Sequence, residues 1–132
     1  MAEITKAIIP LAGLATRHLP LSKAVSKEFL PLGDKPLIQY IIEEVKQAEV
    51  KEVIFVVGNN KKTIADYFKK SPQLEKSVEE KKDDKLLEDL HTLEKLGEGI
   101  SFSYVVDKGL GDGHAVLQAR KLIGEEPCFV LY

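Results

Sequence analysis

The sequence predicts an α/β layered fold with a mainly parallel sheet. Two observations carry the prediction. Short apolar, β-branched runs alternate along the chain with segments whose apolar residues recur every three or four positions. One run, EVIFVV at Glu52–Val57, is almost unbroken in its apolar character, as in strands covered on both faces.

Residues 6–11 (KAIIPL) read as the first buried strand, with Pro10 at its end, where a missing N–H does no harm. A proline-punctuated loop follows over 10–31, PLAGLATRHLPLSKAVSKEFLP. Asp34, Lys35 and Pro36 then mark a helix start. Leu37, Ile38, Ile41, Ile42, Val45 and Ala48 give an amphipathic helix of about three turns. The 52–57 strand ends at Gly58, Asn59 and Asn60, and 61–70 reads as a second helix with Ile64, Ala65 and Phe68 inward. Residues 72–96 are dense in Lys, Glu and Asp, with Leu86, Leu90, Leu93 and Leu96 at helical spacing. They form a charged helical insert, one long helix or a pair, over 72–99 with Gly97 and Gly99 as its stop. Residues 100–106 alternate as a strand, 109–113 form a glycine loop, and Ala115, Val116, Ala119, Leu122 and Ile123 pattern a helix over 114–123. PCFVLY at 127–132 reads as another buried strand. No repeat or linker divides the chain, so 1–132 reads as one domain.

Composition narrows the function classes. Nineteen Lys and Arg against 21 Asp and Glu leave a net charge of −2, so no broad field favours nucleic acid or an anionic membrane. The single cysteine, Cys128, excludes a disulfide framework and fits a reducing compartment. No secretory signal is visible, and no apolar run approaches the ~20 residues of a membrane span. The expectation is a cytoplasmic protein; a homo-oligomer is left open. The chain stops on Val130, Leu131 and Tyr132, inside an apolar run. In parallel sheets ligand groups lie just beyond such strand ends, so the chain is expected to be the first part of a longer polypeptide.

Two glycine-containing loops follow strands and open towards helices, which places both at one edge of a parallel sheet. In the first, Ala12, Gly13 and Ala15 are small enough to bring backbone N–H groups close to a phosphate. Thr16 offers a hydroxyl. Arg17 offers a planar fork that matches two phosphate oxygens, and Lys23 and Lys27 add point charges. GxxxxGK[ST] and GxGxxG after the first strand are both absent, which argues against a P-loop nucleotidase and a Rossmann dehydrogenase. On pattern alone, a phosphate-binding edge and ordinary surface charge stand level.

The segment KAIIPLAGLATRHLPLSKAVSKEFLPLGDKPLIQYIIEEV, with GLGDGHAVLQARKLIGEEPCFVLY later, resembles the N-terminal part of bacterial UTP–glucose-1-phosphate uridylyltransferases. The similarity runs through most of the chain and is weakest over 72–100. It implies a three-layer α/β/α, Rossmann-like nucleotide-diphosphosugar transferase fold with a mixed, mainly parallel sheet. It implies the conversion of UTP and glucose 1-phosphate to UDP-glucose and pyrophosphate with Mg2+, by in-line attack and without a protein nucleophile. Carried over by position, Arg17 would hold the β- and γ-phosphates and Lys27 the α-phosphate and sugar phosphate. Leu11, Ala12, Gly13, Leu14, Ala15 and Thr16 would wrap the nucleotide, with Val106, Gly111, Gly113, His114 and Ala115 as the second wall. His114 reads equally as a structural histidine at the helix start. The acidic Mg2+ ligands are expected beyond Tyr132, with no metal site within the chain, and residues 1–132 alone are expected to turn over poorly.

Four positions depart from the family's pattern. Ala15 replaces a glycine, which costs about 1 kcal/mol or more if the position needs φ > 0. Leu11 replaces alanine, Ser26 a proline, and Val106 the glutamine that reads uracil. Two alternatives follow: a thymidylyl- or cytidylyltransferase acting on another sugar phosphate, and a non-catalytic binding or regulatory homologue.

Overall fold

The computed structural model describes residues 3–58 and 64–132. The chain forms two compact units, one from 1–62 and 100–132, the other from 63–99.

In the first unit, β1 (Lys6–Pro10), β4 (Glu52–Val57), β5 (Ser101–Val106) and β6 (Cys128–Val130) form one sheet in the order β5-β4-β1-β6, with every pair parallel. Strands β2 (Pro31–Leu32) and β3 (Lys35–Pro36) make a separate antiparallel ribbon. The ribbon takes up the residues in which a helix start was expected, and helix α1 (Leu37–Gln47) begins only after Pro36. The ribbon is tied to α1 by Lys35, whose Nζ donates to Glu43 Oε1 at 2.9 Å, and by Tyr40, whose hydroxyl donates to the Leu32 carbonyl at 2.7 Å.

The centre of the sheet explains the unbroken run at 52–57: Val53, Ile54, Phe55, Val56 and Val57 are all fully buried. Helices α5 (Asp112–Gln118) and α6 (Arg120–Ile123) carry the chain from β5 at one edge to β6 at the other. The residues Ala115, Ala119 and Ile123 pack with Ile8, Ile54 and Val56 on one face of β1 and β4. The β1–α1–β4 crossover runs across the sheet in the opposite sense, so the same right-handed rule puts α1 on the other face. Alternation along the strands turns Ala7, Ile9, Val53 and Phe55 to that face. The helices therefore lie on both sides of the sheet, as the α/β/α expectation requires. At the amino edge, Lys6 Nζ donates to the Leu122 carbonyl at 3.1 Å and pairs with Glu52 and Glu126 at 3.6 and 3.2 Å.

The last strand differs from expectation. Cys128 and Val130 are only half-buried and Phe129 is 38 % exposed, because β6 is a sheet edge that pairs with β1 alone among the described strands.

The second unit takes in more than the charged run. It comprises α2 (Ile64–Phe68), α3 (Pro72–Glu80) and α4 (Asp84–Gly97). The expected break at Asn59 and Asn60, and the first turn of the helix expected over 61–70, lie outside the described residues. The insert is a helix pair: Pro72 opens α3, and the Asp83 side chain caps α4 by accepting the Leu86 N–H at 3.1 Å. Leu90, Leu93 and Leu96 are partly buried, whereas Leu86 is exposed. The buried member of α4 is Glu94, whose carboxylate accepts the Ser71 N–H at 3.0 Å. No helix among the described residues is long and apolar enough to cross a membrane.

Gly97 does not stop α4, as the sequence suggested; it is the last helical residue, and Gly99 takes the positive φ of 78°. Its role is steric. A Cβ at 97 would lie 2.8 Å from Phe68 Cβ and 3.0 Å from the Phe68 carbonyl oxygen. Gly97→Ala should therefore lower stability by about 1–2 kcal/mol in urea titration, although alanine is the better helix former.

Candidate functional site

The two glycine loops leave the sheet at one level. The Leu11 N–H donates to the Val56 carbonyl at 2.6 Å, and the Asp107 N–H to the Val57 carbonyl at 2.9 Å. Adjacent carbonyls of β4 thus fix the points at which the chain turns away after β1 and after β5. Beyond them lies a small cleft of about 80 Å3, lined by Pro10, Ala12, Gly13, Asp107, Gly109, Gly111, Asp112 and Ala115. The loops approach closely: a Cβ at Gly109, where φ is 77°, would stand 3.4 Å from the Ala12 carbonyl oxygen.

Of the residues expected to bind a nucleotide, the cleft gathers Ala12, Gly13, Gly111 and Ala115. Leu11 is buried beneath it, 5 % exposed, as an extension of β1. Leu14 and Val106 are exposed outside the lining, at 83 % and 48 %. Ala15, Thr16, Gly113 and His114 also lie off the lining, Thr16 and Gly113 exposed and Ala15 and His114 half-buried.

The cations of the first loop stand on three separate single-turn 3-10 helices, Thr16–His18, Leu21–Lys23 and Lys27–Phe29. The side chains of Arg17, Lys23 and Lys27 make no ion pair or hydrogen bond among the described residues. Lys27 is half-buried, and its Nζ lies 3.9 Å from where a Cβ at Gly13 would sit. An uncompensated ammonium thus flanks a residue of the cleft lining. Arg17 is exposed on the turn that follows Ala15.

Ala15 adopts φ 51°, ψ 40°, the left-handed conformation that favours glycine. This conformation starts the turn that carries Arg17. Ala15→Gly should raise stability by about 0.5–1 kcal/mol, the relief of the left-handed Cβ clash less the entropy that glycine adds to the unfolded chain.

Sequence reasoning missed Asp107 as a site residue. It is 4 % exposed, and its two carboxylate oxygens reach in two directions. Oδ2 accepts the Gly109 N–H at 3.0 Å, and Oδ1 accepts from His114 Nδ1 at 2.5 Å. The Gln118 amide, one turn further along α5, lies 3.3 Å from His114 Nε2. An amide N–H pointing at Nε2 makes that nitrogen the acceptor and leaves the ring proton on Nδ1, facing the carboxylate. The ring of His114 is thus tied back to the residue that follows β5. The readable signal was an acid placed directly after an apolar strand and seven residues before a histidine.

Burial pushes the Asp107 carboxyl up, but the Gly109 N–H and the His114 ring outweigh it and hold it below its ordinary value. A carboxyl lowered on folding stabilises the native state above its unfolded pKa of about 4, and that contribution disappears as pH falls through the folded pKa. Asp107→Asn should cost about 2 kcal/mol at neutral pH, the scale of a hydrogen bond to a charged group. The gap between the two proteins' melting curves should be constant above about pH 5 and close below about pH 4.

Among the described residues no group of three or more His, Cys, Asp or Glu stands close enough to hold a metal ion, and both Asp107 oxygens are already engaged. The described residues do not by themselves make a Mg2+ site.

The profile of the nucleotidyl transferase family matches residues 6–132. A UTP–glucose-1-phosphate uridylyltransferase of Bacillus subtilis strain 168 is 48 % identical over 131 residues, which are 99 % of this chain and 44 % of that protein. A UTP-bound UGPase from Acinetobacter baumannii superposes with a TM-score of 0.86 at 38 % identity, covering 97 % of this chain and 45 % of that one. A UDP-glucose pyrophosphorylase complexed with UDP-glucose superposes at 0.80 and 39 % identity, with coverage of 97 % and 45 %. The chain spans a little under half the length of the relatives it matches. With a parallel sheet between helices, a two-loop cleft at its carboxyl edge and a match over nearly its whole length, the chain belongs to the nucleotidyl transferase family.

Proposed function

We propose that this chain is the nucleotide-binding part of a UTP–glucose-1-phosphate uridylyltransferase, which joins UTP and glucose 1-phosphate into UDP-glucose and releases pyrophosphate. One observation carries the reading: a cleft between two backbone loops is flanked by the Lys27 ammonium, which lies beside Gly13 and is neutralised by no carboxylate of the described residues. Such a cleft suits a ligand with a flat uncharged end and a polyanionic end. The identity to uridylyltransferases and the likeness to UTP-bound and UDP-glucose-bound structures support the choice of nucleotide and sugar.

In this reading the base and ribose lie against the backbone of Ala12, Gly13, Gly109 and Gly111. Lys27 neutralises the α-phosphate and the incoming sugar phosphate. Two anions otherwise repel each other as they approach, and a fixed ammonium removes that cost. Arg17 forks onto the outer phosphates and stabilises the charge that gathers on pyrophosphate as the bond to the α-phosphorus breaks. Magnesium, where bound, would share this neutralisation through ligands supplied from outside this chain. The unpaired thiol of Cys128 fits work in the reducing cytoplasm.

Val106 favours one second reading. It is exposed at the end of β5 and offers no hydrogen bond to a base, which leaves room for a thymidylyl- or cytidylyltransferase. Calorimetric titration separates the readings. Arg17→Ala and Lys27→Ala should each weaken UTP binding about tenfold or more, the scale of a lost charge-assisted contact. UTP should bind more tightly than CTP or dTTP. Binding that ignores both substitutions overturns the proposed site, and a preference for CTP or dTTP overturns the assignment of the base.

A further inference from the structure

We infer that Asp107 is a positioning residue for nucleotide binding: its carboxylate pins the start of the second glycine loop to the start of α5, and so sets the wall of the cleft that a base and ribose meet. The inference rests on the nucleotide-binding reading above and adds to it a residue that was not among the expected site residues.

The geometry is specific. Asp107 follows β5 and is held at the sheet by its N–H bond to the Val57 carbonyl. From that anchor one oxygen takes the Gly109 N–H, and the other takes His114 Nδ1, across the whole 109–113 loop. The loop itself has little else to hold it. Gly109 and Gly111 have φ of 77° and 112°, Leu110 is 68 % exposed, and a Cβ at Gly111 or Gly113 would meet nothing within 4 Å. A loop with two such glycines has many conformations open to it, and the carboxylate selects one. Asp107 also lines the cleft, opposite Ala12 and Gly13. It touches no cation of the first loop, so its influence is confined to the end of the ligand that the loops enclose. The Gln118 amide completes the set by holding the His114 ring with its proton towards Asp107.

The test compares two probes, UTP and inorganic tripolyphosphate, on the 132-residue chain and its variants. Asp107→Asn keeps the size of the side chain and an acceptor for Gly109, but turns an amide N–H towards His114. UTP affinity should fall roughly tenfold, the consequence of a lost hydrogen bond to a charged group. Tripolyphosphate affinity should stay within about twofold, because the cations of the first loop are untouched. Nitrogen NMR of the imidazoles should show the His114 proton on Nδ1 in the parent chain and a change of tautomer in Asp107→Asn. Amide exchange across 109–113, read without ligand, should quicken about tenfold. His114→Asn, which keeps an N–H donor where Nδ1 stood, should retain more UTP affinity than His114→Ala; this pair carries the test if Asp107→Asn fails to fold.

Unchanged UTP binding in Asp107→Asn overturns the inference, as does an equal loss of UTP and tripolyphosphate, which would mark general damage. If the parent chain binds tripolyphosphate with no preference for UTP, the nucleotide reading has failed instead. The exchange rates then decide the pin by themselves: faster exchange in Asp107→Asn upholds it, and unchanged exchange overturns it.

Discussion

Everything at the carboxyl edge depends on β4. Its five consecutive buried residues make it the axis of the sheet, and its last two carbonyls receive the first N–H groups of both departing loops. A loop can be placed to a fraction of an ångström only if the strand before it is. The register of β1 and β5 on β4 is therefore what brings Ala12 against Gly109, two backbone segments almost a hundred residues apart in sequence. A slip by one residue would turn buried side chains to the opposite face, so the apolar filling of both faces guards the geometry of the cleft.

The two loops solve the same problem differently. The first is held by its own backbone hydrogen bonds in three successive single-turn helices, each of which carries one cation. The left-handed Ala15 is where that series begins, so a strained residue precedes the Arg17 turn. The second loop carries no cation except Lys108, and its glycines supply freedom rather than form. Its form comes from the buried Asp107, which spends both oxygens on the loop and on α5. Charge is thus presented outward on one loop and consumed internally on the other. A ligand with one charged and one uncharged end matches that division.

The helical unit over 63–99 follows another economy. All but one of its many charges stay at least partly solvated, and its packing relies on a few contacts at close range: Gly97 against Phe68, and the buried Glu94 against the Ser71 backbone. A buried glutamate on a charged helix is indistinguishable by pattern from its exposed neighbours, and only its partner on another segment sets it apart.

Periodicity and composition by themselves determined the four strands of the parallel sheet and their alternation with helices, the charged helical insert, and the loop bearing Arg17 and Lys27. Those features follow from local propensity and from which faces are apolar, and both are written residue by residue. The resemblance raised the question of a left-handed residue at 15, through the glycine expected there, and the backbone answered it. Tertiary structure alone decided the rest. It turned residues 31–36 into a ribbon, left β6 as a half-exposed edge, gave Gly97 a steric task, drew Leu11 under the cleft and joined Asp107 to His114. Each of these depends on a particular contact, or on the lack of one, and a single hydrogen bond, clash or open edge leaves no period in the sequence by which to read it.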